Sequence, residues 1–585
     1  MNLSQLIARF ALRHWRHYLS SAIMLAGVAA LTVWIPRQVG HVVDELVSGR
    51  LHGEALLRQL GLLLAAGIGI YGLRVGWRLQ LYAASYRLGQ ELRVRLYRRL
   101  TEQGPSFFQQ QRTGDLMALA TNDVDAVEMA AGEAMLAGFD GSMTLIMVVA
   151  MMSLAINPQL ALVALAPFPL MALAFWRISN QIHLASRDSL KCFSALNDFT
   201  QETLSGVRTI RALGLEQRSS RQFADLAEHA ADASLRAQRW EAGYEPAVGL
   251  TLVTASTLTL GVGGTLVWQG EMTVGALTAF SMYLGQLIWP MFAAGWVLAL
   301  MERGRAAWAR LAPVLEQPLS ILDHGTISPV ALGLLSVENI HLIYPGQREE
   351  ALNGVSFTLE PGRTLGLVGP TGAGKSSIIR LILRQYAESA GTLRWSGIAL
   401  ADYELEALHG AISWVPQEPF MFSASIAENI ALTRPDATRS EIEHVARLAA
   451  IHEDIVRFPL GYETPVGERG VTLSGGQRQR LAIARALLAD AGLLLLDDAL
   501  SAVDTQTESA ILSHLAQEQL SASASGKSMM VVSHRLSSVK DADEILVLDA
   551  GRVIERGNHV GLVAQDGWYA AQWRYQQLEA SLEAV

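Results

Sequence analysis

Long uncharged apolar stretches dominate the first half of the chain, whereas shorter apolar runs between polar segments make up the second half. A helix of about 20 apolar residues crosses the hydrocarbon of a bilayer. Stretches of that order lie near residues 18–38, 56–82, 131–156, 158–179, 246–269 and 275–300. The pattern predicts an all-α, six-helix transmembrane domain over residues 1–303.

An amphipathic segment precedes the first of these stretches. Over residues 3–18, apolar side chains recur at helical spacing, at Leu3, Leu6, Ile7 and Phe10. The spacing predicts a helix that lies in the membrane interface and leads into the bilayer. Because no small-residue cleavage site follows it, we interpret the segment as part of the mature protein and not as a secretory signal.

Arginine is concentrated in two of the connections between apolar stretches. The connection from 83 to 130 and the one from 180 to 245 each hold several arginines, whereas the other connections are short or poor in basic residues. By the positive-inside rule, both long connections, the N-terminus and everything after Arg303 are expected to be cytoplasmic. We therefore expect a multi-pass membrane protein with both termini in the cytoplasm.

The two long connections have the regularity of helices that continue beyond the membrane. Each contains a polar break, over 111–115 in the first and 195–199 in the second. Such breaks favour a turn together with a short transverse helix that could dock on another domain. The alternative is a plain helical hairpin tip.

The second half of the chain has the pattern of a soluble α/β domain. A mixed segment over 304–332 is predicted to be a linker, and the domain is predicted over 333–585. The net charge of -9 excludes a general nucleic-acid binder, which would show a basic face. Cys192 is the single cysteine, so no intrachain disulfide can form.

A phosphate-binding loop pattern, G-x-x-x-x-G-K-[ST], spans Gly369–Ser376. It follows an apolar run typical of a buried strand, 364–368, and precedes a helix-like segment, 377–382. Glycines let backbone N–H groups curl around an anion, and the helix N-terminus adds partial positive charge. We expect Lys375 to reach the β- and γ-phosphates of a nucleotide and Ser376 to ligate Mg²⁺.

Further motifs follow in the order found in the ATP-binding cassette family. The apolar run 493–496 ends in Asp497 and Asp498, which resembles a Walker B motif, and the family signature stands at 473–477. The matching single residues and short segments are Tyr344 (adenine-stacking aromatic), Gln417 (Q-loop), Ser501–Asp504 (D-loop), His534 (H-loop) and Thr464–Gly470, which resembles a segment that exporters place before the signature. Six spans followed by one cassette resemble the half-transporter layout of the type IV exporters, and Asp497–Leu500 and Arg574–Ala580 narrow the resemblance to multidrug-resistance-like half-transporters.

This resemblance implies an α/β P-loop ATP-binding cassette that uses ATP and Mg²⁺ and works as a dimer. Each ATP lies between the phosphate loop of one chain and the signature of the other. The implied nucleotide-binding residues are Tyr344, Gly369, Pro370, Thr371, Gly372, Ala373, Gly374, Lys375, Ser376, Ser377 and Gln417. The implied signature residues are Leu473, Ser474, Gly475, Gly476 and Gln477, and those of the D-loop are Ser501 and Asp504. The implied metal ligands are Ser376, Gln417 and Asp497, and the implied catalytic residues are Lys375, Asp498 and His534.

Asp498 departs from the family pattern, in which glutamate polarises the attacking water. Aspartate keeps the charge but withdraws the carboxylate by about an ångström, and such a displacement can lower a rate on the order of 100-fold. The sequence therefore predicts a slow, degenerate ATP site in this chain and an intact signature that completes a fast site on a second half-transporter. A homodimer with two slow sites is the alternative.

The function predicted from the resemblance is ATP-driven export of lipophilic or amphipathic small molecules across a bacterial inner membrane. A lipid flippase shares the architecture and is the runner-up. A soluble cassette ATPase of the DNA-maintenance kind would need a long coiled coil between the motifs, which is absent from the sequence. An ATP-gated channel or regulator would be distinguished by ion currents.

Charged residues inside the predicted spans are candidates for the substrate pathway. They are Arg74 and Arg78 in the second span and Glu133 and Asp140 in the third. Membrane-embedded charge usually faces a bundle interior or a wet cavity. Snorkelling or an ion pair between the two spans is the alternative.

Overall fold

The computed structural model describes residues 2–330, 332–467, 473–521 and 527–583. It divides into two compact units. The first comprises Met1–Arg99 and Gly114–Gln317, and the second comprises Leu100–Thr113 and Pro318–Val585. The short segment around residue 105 thus belongs with the C-terminal part of the chain.

Helices account for most of residues 2–317. They are α1 (Leu3–Arg13), α2 (Trp15–Val47), α3 (Glu54–Thr101), α4 (Pro105–Gln110), α5 (Thr113–Ile156), α6 (Pro158–Ser205), α7 (Val207–Leu213), α8 (Glu216–Trp268) and α9 (Val274–Glu316). Among the described residues, six of these helices, α2, α3, α5, α6, α8 and α9, are long and apolar enough to cross a membrane. This confirms the predicted six-helix transmembrane domain with helical extensions.

The N-terminal helix buries the face that its apolar spacing predicts. Leu3, Leu6, Ile7 and Phe10 are each at most 8% exposed. The helix ends at Arg13 and the chain re-enters helix at Trp15, so α1 is shorter than the predicted 3–18. An apolar stripe of this kind fixes which side of a helix packs inward.

The first break is where the sequence predicts it, next to a short helix, but the second is not. The break at 111–112 separates α4 from α5, whereas 195–199 lies inside α6, which ends only at Ser205. Polar residues such as Asn197 are tolerated on an exposed helical surface and do not end it. The turns fall instead at Gly206 and at Gly214, whose φ of 64° suits glycine.

The last long helix also extends further than the sequence predicts. Residues 304–316 were expected to start the linker, but α9 continues to Glu316. Ala307, Trp308 and Leu311 keep helical spacing and are each at most 5% exposed, so packing holds this segment helical. The non-helical connection begins at Gln317.

Helices α2 and α9 cross closely at a pair of glycines. A Cβ on Gly40 would lie 2.5 Å from the carbonyl oxygen of Gly275. The Asp44 carboxylate accepts hydrogen bonds from the Gly275 N–H and the Thr273 hydroxyl, both at 2.7 Å, and so satisfies the N-terminus of α9. Small residues let helix backbones approach in this way.

We expect Gly275→Ala to destabilise the membrane domain by about 1–3 kcal/mol, because the added methyl group has no room at the crossing. Gly285→Ala is the matched control, since nothing lies within 4 Å of a Cβ at that position. Thermal unfolding in detergent measures both variants. Equal midpoints for the two would contradict the close crossing.

Two sheets form the second unit. In the described residues the strands are β1 (Leu335–Ile343), β2 (Glu350–Leu359), β3 (Thr364–Val368), β4 (Ala390–Trp395), β5 (Ile398–Ala399), β6 (Ile412–Val415), β7 (Leu493–Asp497), β8 (Ser528–Val532), β9 (Glu544–Asp549) and β10 (Arg552–Gly557). One sheet has the order β2-β1-β4-β5 and is antiparallel; the other has the order β10-β9-β3-β8-β7-β6. In the second sheet β9, β3, β8, β7 and β6 run parallel. This confirms the predicted α/β class.

Helices surround these sheets. They are α10 (Lys375–Ile382), α11 (Leu405–Gly410), α12 (Ile426–Ile430), α13 (Arg439–Leu448), α14 (His452–Arg457), α15 (Gly475–Leu488), α16 (Thr505–Ser521), α17 (His559–Ala564) and α18 (Trp568–Glu583). The strands of the parallel sheet are almost wholly buried, as the continuous apolar run 493–496 indicates. Their carboxyl ends share one edge of the sheet, where ligands of such folds bind.

Candidate nucleotide-binding site

The predicted phosphate loop curls between the end of β3 and the start of α10. Gly372 and Gly374 have φ values of 86° and 100°, in the left-handed region that favours glycine. A Cβ at Gly374 would lie 2.5 Å from the Ala351 carbonyl oxygen, so this position excludes a side chain. The loop therefore requires the glycines that the motif supplies, and the backbone amides of such a loop can surround an anion.

Lys375 lies inside this loop. Its ammonium group donates hydrogen bonds to the carbonyl oxygens of Gly369 at 2.8 Å and Pro370 at 2.9 Å. The residue is 6% exposed, and burial lowers its pKa. A buried ammonium gains most from an anionic ligand that restores the lost solvation.

Ser376 and Asp497 meet across the loop. The Ser376 hydroxyl donates a 2.7 Å hydrogen bond to Asp497 Oδ1 at the end of β7. Burial raises the pKa of Asp497, so a cation placed here would stabilise its charged form. Hydroxyl and carboxylate oxygens are ligands that Mg²⁺ accepts beside water and phosphate oxygens, so this pair fits the ion.

The departure from the family pattern, Asp498, lies at the centre of the site. It is 8% exposed and has a φ of 49°, a conformation that aspartate tolerates better than most residues. Its Oδ2 is 3.4 Å from Gln417 Nε2, and its Oδ1 is 3.5 Å from the backbone nitrogen of His534. The structure thus brings together Asp498 with Gln417, 81 residues before it, and with His534, 36 residues after it.

The aromatic predicted to face adenine, Tyr344, is tied to the first turn of α10. Its hydroxyl lies 2.8 Å from Ser377 Oγ and accepts a 3.2 Å hydrogen bond from Arg380. The ring packs edge-on against Tyr386 at 4.9 Å. The sequence analysis missed Arg380 and Tyr386. Arg380 lies four residues after Ser376, so helical spacing alone would have placed it beside the loop.

The signature residues form the start of α15. Ser474 caps the helix: its hydroxyl accepts from the Gln477 N–H at 3.2 Å, and its own N–H donates to Gln477 Oε1 at 3.0 Å. Leu473 is buried, whereas Ser474 and Gly475 are exposed and Gly476 is half-buried. Of the segment predicted before the signature, residues 468–470 lie outside the described part of the chain.

The D-loop connects the signature helix to Asp498. Ser501 donates a 2.9 Å hydrogen bond to the Asp498 carbonyl oxygen and accepts one of 3.2 Å from Gln479 on α15. Gln479 also accepts from the Ala502 N–H at 2.9 Å, a role that sequence reasoning missed. Asp504 caps α16 by accepting from the Thr507 N–H at 2.8 Å, and this bond lowers the pKa of Asp504.

The four charged residues predicted to lie inside the spans do not form ion pairs with one another. In the part of the chain that the structure describes, neither Arg74 nor Arg78 forms an ion pair with Glu133 or Asp140. Asp140 instead accepts a 3.1 Å hydrogen bond from the Trp289 indole. The alternative of an ion pair between the second and third spans is therefore wrong for these four residues.

Comparison with known proteins agrees with this geometry. A family model described as the ABC transporter transmembrane region matches residues 19–291, and one described as ABC transporter matches 352–501. The chain is 44% identical to the multidrug resistance-like ATP-binding protein MdlA of Escherichia coli K12, covering 100% of this chain and 98% of that protein. It is 36% identical to the probable multidrug resistance ABC transporter ATP-binding/permease protein YheI of Bacillus subtilis, covering 97% and 96%.

Two further similarities bear on the architecture. The ATP-dependent lipid A-core flippase of Pseudomonas fluorescens is 33% identical, with 95% of this chain and 94% of that protein covered. A solved bacterial Atm1-family ABC exporter with ATP bound superposes with a TM-score of 0.77 at 27% identity, covering 96% of this chain and 98% of that one. One chain thus combines a six-helix membrane domain with a cassette that carries a phosphate loop, and it matches a solved exporter over 96% of its length. The chain belongs to the ABC transporter family as an ATP-hydrolysing exporter half-transporter.

Proposed function

We propose that this chain is one half of a heterodimeric exporter that moves lipophilic or amphipathic small molecules out across a bacterial inner membrane. The names of MdlA and YheI, both multidrug-type, support this cargo class. The arginine-rich helical extensions support a cytoplasmic placement of both termini. Residues 1–303 would carry the cargo and residues 333–585 would bind ATP.

The geometry of the loop supports a role for each predicted residue. Lys375 is placed to move from the loop carbonyls to the β- and γ-phosphates, and Tyr344 to stack on adenine. Ser376 and Asp497, with Gln417 beside them, would hold Mg²⁺, which supplies positive charge to the phosphates. His534 would contact the γ-phosphate, and Asp498 would orient the attacking water.

The proposal of a heterodimer rests mainly on the aspartate at position 498. Its carboxylate is short by one methylene and lies within reach of the Gln417 amide at 3.4 Å. A withdrawal of about an ångström from the water position is expected to slow hydrolysis on the order of 100-fold. A slow site in this chain favours a partner that supplies the faster one.

Two further observations favour a second chain. Ser474 and Gly475 are exposed at the N-terminus of α15, where a helix attracts phosphate. Large apolar side chains on α6 are exposed beyond its predicted membrane span of 158–179, among them Leu190 at 70% and Phe193 at 54%. Such side chains outside the bilayer favour burial against another polypeptide.

The test is the ATPase activity of this chain purified with an adjacent half-transporter that carries glutamate at the position of Asp498. We expect Ser474→Ala in this chain to lower the activity of the pair by about 10-fold or more, because the partner's ATP loses a phosphate contact. Asp498→Asn should change it less than about twofold. Loss of a single transition-state hydrogen bond typically lowers a rate by roughly 100- to 1,000-fold, so the 10-fold figure for Ser474→Ala is a lower bound.

A homodimer would give the opposite pattern. In that case the chain alone would hydrolyse ATP as fast as any pair, and Asp498→Asn would abolish the activity. The same purified proteins decide between the two arrangements.

A lipid flippase is a second candidate, favoured by the relative named a lipid A-core flippase. Stimulation of the ATPase by a panel of lipids and of drugs separates the two cargoes. In either case we propose that Arg74, Arg78, Glu133 and Asp140 line the pathway, since they are not neutralised by one another.

A further inference from the structure

A groove runs between α1 and the part of α3 that follows its apolar stretch. Its volume is about 740 Å³, within the range of ligand-binding pockets. Its floor includes Leu6 and Phe10, from the buried face of α1. The walls carry the charged side chains of Arg9, Arg13, Arg87, Arg95, Arg98 and Glu91.

The groove has a strong excess of positive charge. Five arginines and one glutamate line it, so the formal charge of the lining is +4. Glu91 is 3.9 Å from Arg13, and both side chains are well exposed, at 49% and 74%. An exposed pair at that distance neutralises little. The groove therefore favours an anion with several acceptor oxygens.

The groove lies at the boundary between membrane and water. The apolar stretch of α3, 56–82, ends just before Arg87, and α1 leads directly into the first membrane-length helix. Trp15 and Tyr86, next to the groove in sequence, are 53% and 63% exposed. Exposed Trp and Tyr are enriched at the headgroup level of membranes. At this depth, the anionic group available to the groove is the headgroup of a lipid.

We propose that this groove binds the phosphate headgroup of an anionic phospholipid, with guanidinium groups of α1 and α3 on the phosphate oxygens. Arginine suits this task because its planar fork makes paired hydrogen bonds to phosphate. The apolar floor from Leu6 and Phe10 would contact the glycerol and the first methylenes of the acyl chains. The lipid would thereby fasten the interfacial helix to the second membrane helix.

The test compares lipids on the full chain purified in detergent. The probe is fluorescent phosphatidylglycerol, and its dissociation constant is measured for the wild type and for Arg13→Gln/Arg87→Gln, with one substitution in each wall. Because each juxtamembrane basic residue typically strengthens binding to anionic lipid, loss of two arginines should weaken the binding of the probe by roughly 30-fold. Arg218→Gln/Arg221→Gln, on the exposed surface of α8, is the matched control and should stay within about twofold.

Three outcomes would overturn the proposal. They are equal affinity for phosphatidylglycerol and phosphatidylcholine, an unchanged affinity in the groove variant, and displacement of the probe by inorganic phosphate at the same concentrations as by unlabelled phosphatidylglycerol. The last would assign the groove to a soluble anion. A thermal melt of each variant, and the single charge reversal Arg13→Glu as a second variant, separate loss of binding from loss of folding.

Discussion

Replacing Asp498 with glutamate is expected to raise ATP hydrolysis at this chain's own site by about 100-fold, since the added methylene returns the carboxylate toward the water position. Single-turnover hydrolysis by the purified pair measures the change, with a partner whose own phosphate-loop lysine is replaced so that only this chain's site is read. Asp498→Asn is the control that removes the charge and keeps the size.

The backbone at this position opposes part of that gain. The φ of Asp498 is 49°, in the left-handed region of the backbone. Aspartate adopts this conformation more readily than glutamate does. We therefore expect Asp498→Glu to lower the free energy of unfolding by up to about 1 kcal/mol while the rate rises. A variant that folds normally but hydrolyses ATP no faster than wild type would show that the distance from the carboxylate to the attacking water does not limit the rate at this site.

Lys375→Ala is expected to weaken ATP binding by this chain on the order of 100-fold, because charge-assisted hydrogen bonds to phosphate are the strongest contacts available to the loop. Photolabelling of the chain by an azido-nucleotide over a concentration series measures the affinity. Lys527→Ala is the matched control, because that lysine pairs with Asp490 at 2.6 Å, away from the loop.

Cargo movement by the heterodimer should fall together with nucleotide binding in Lys375→Ala. The loop carbonyls of Gly369 and Pro370 lose their donor in this variant, so a thermal melt must accompany the measurement. Unchanged labelling with an unchanged melt would contradict the assignment of this loop as the nucleotide site.

The sequence was most informative where one local pattern decides the structure. The spacing of Leu3, Leu6, Ile7 and Phe10 predicted the buried face of α1, and the glycines of the phosphate loop predicted its curl. Apolar length likewise predicted the six membrane helices. These features depend on neighbours within a few residues, which a single sequence displays directly.

Features that depend on tertiary contacts were missed or misplaced. Packing of Trp308 and Leu311 keeps α9 helical through a segment that polar residues and Pro313 marked as linker. Gln479 bonds to the D-loop across 22 residues of sequence, and nothing in its own neighbourhood distinguishes it. The second turn was assigned to polar residues, whereas the helix breaks fall at Gly206 and at Gly214, and Gly214 has a left-handed backbone conformation that favours glycine.

Where the cassette begins has a practical consequence for anyone who wishes to express it without the membrane helices. The Thr326 and Ile327 N–H groups donate to the Asp402 carbonyl oxygen, and Arg384 donates to that of Leu322 at 3.1 Å. A fragment that starts at residue 333 would lack these hydrogen bonds and leave the Asp402 carbonyl group, between β4 and α11, without its donors. A soluble fragment should instead start at Pro318, where the second compact unit itself resumes.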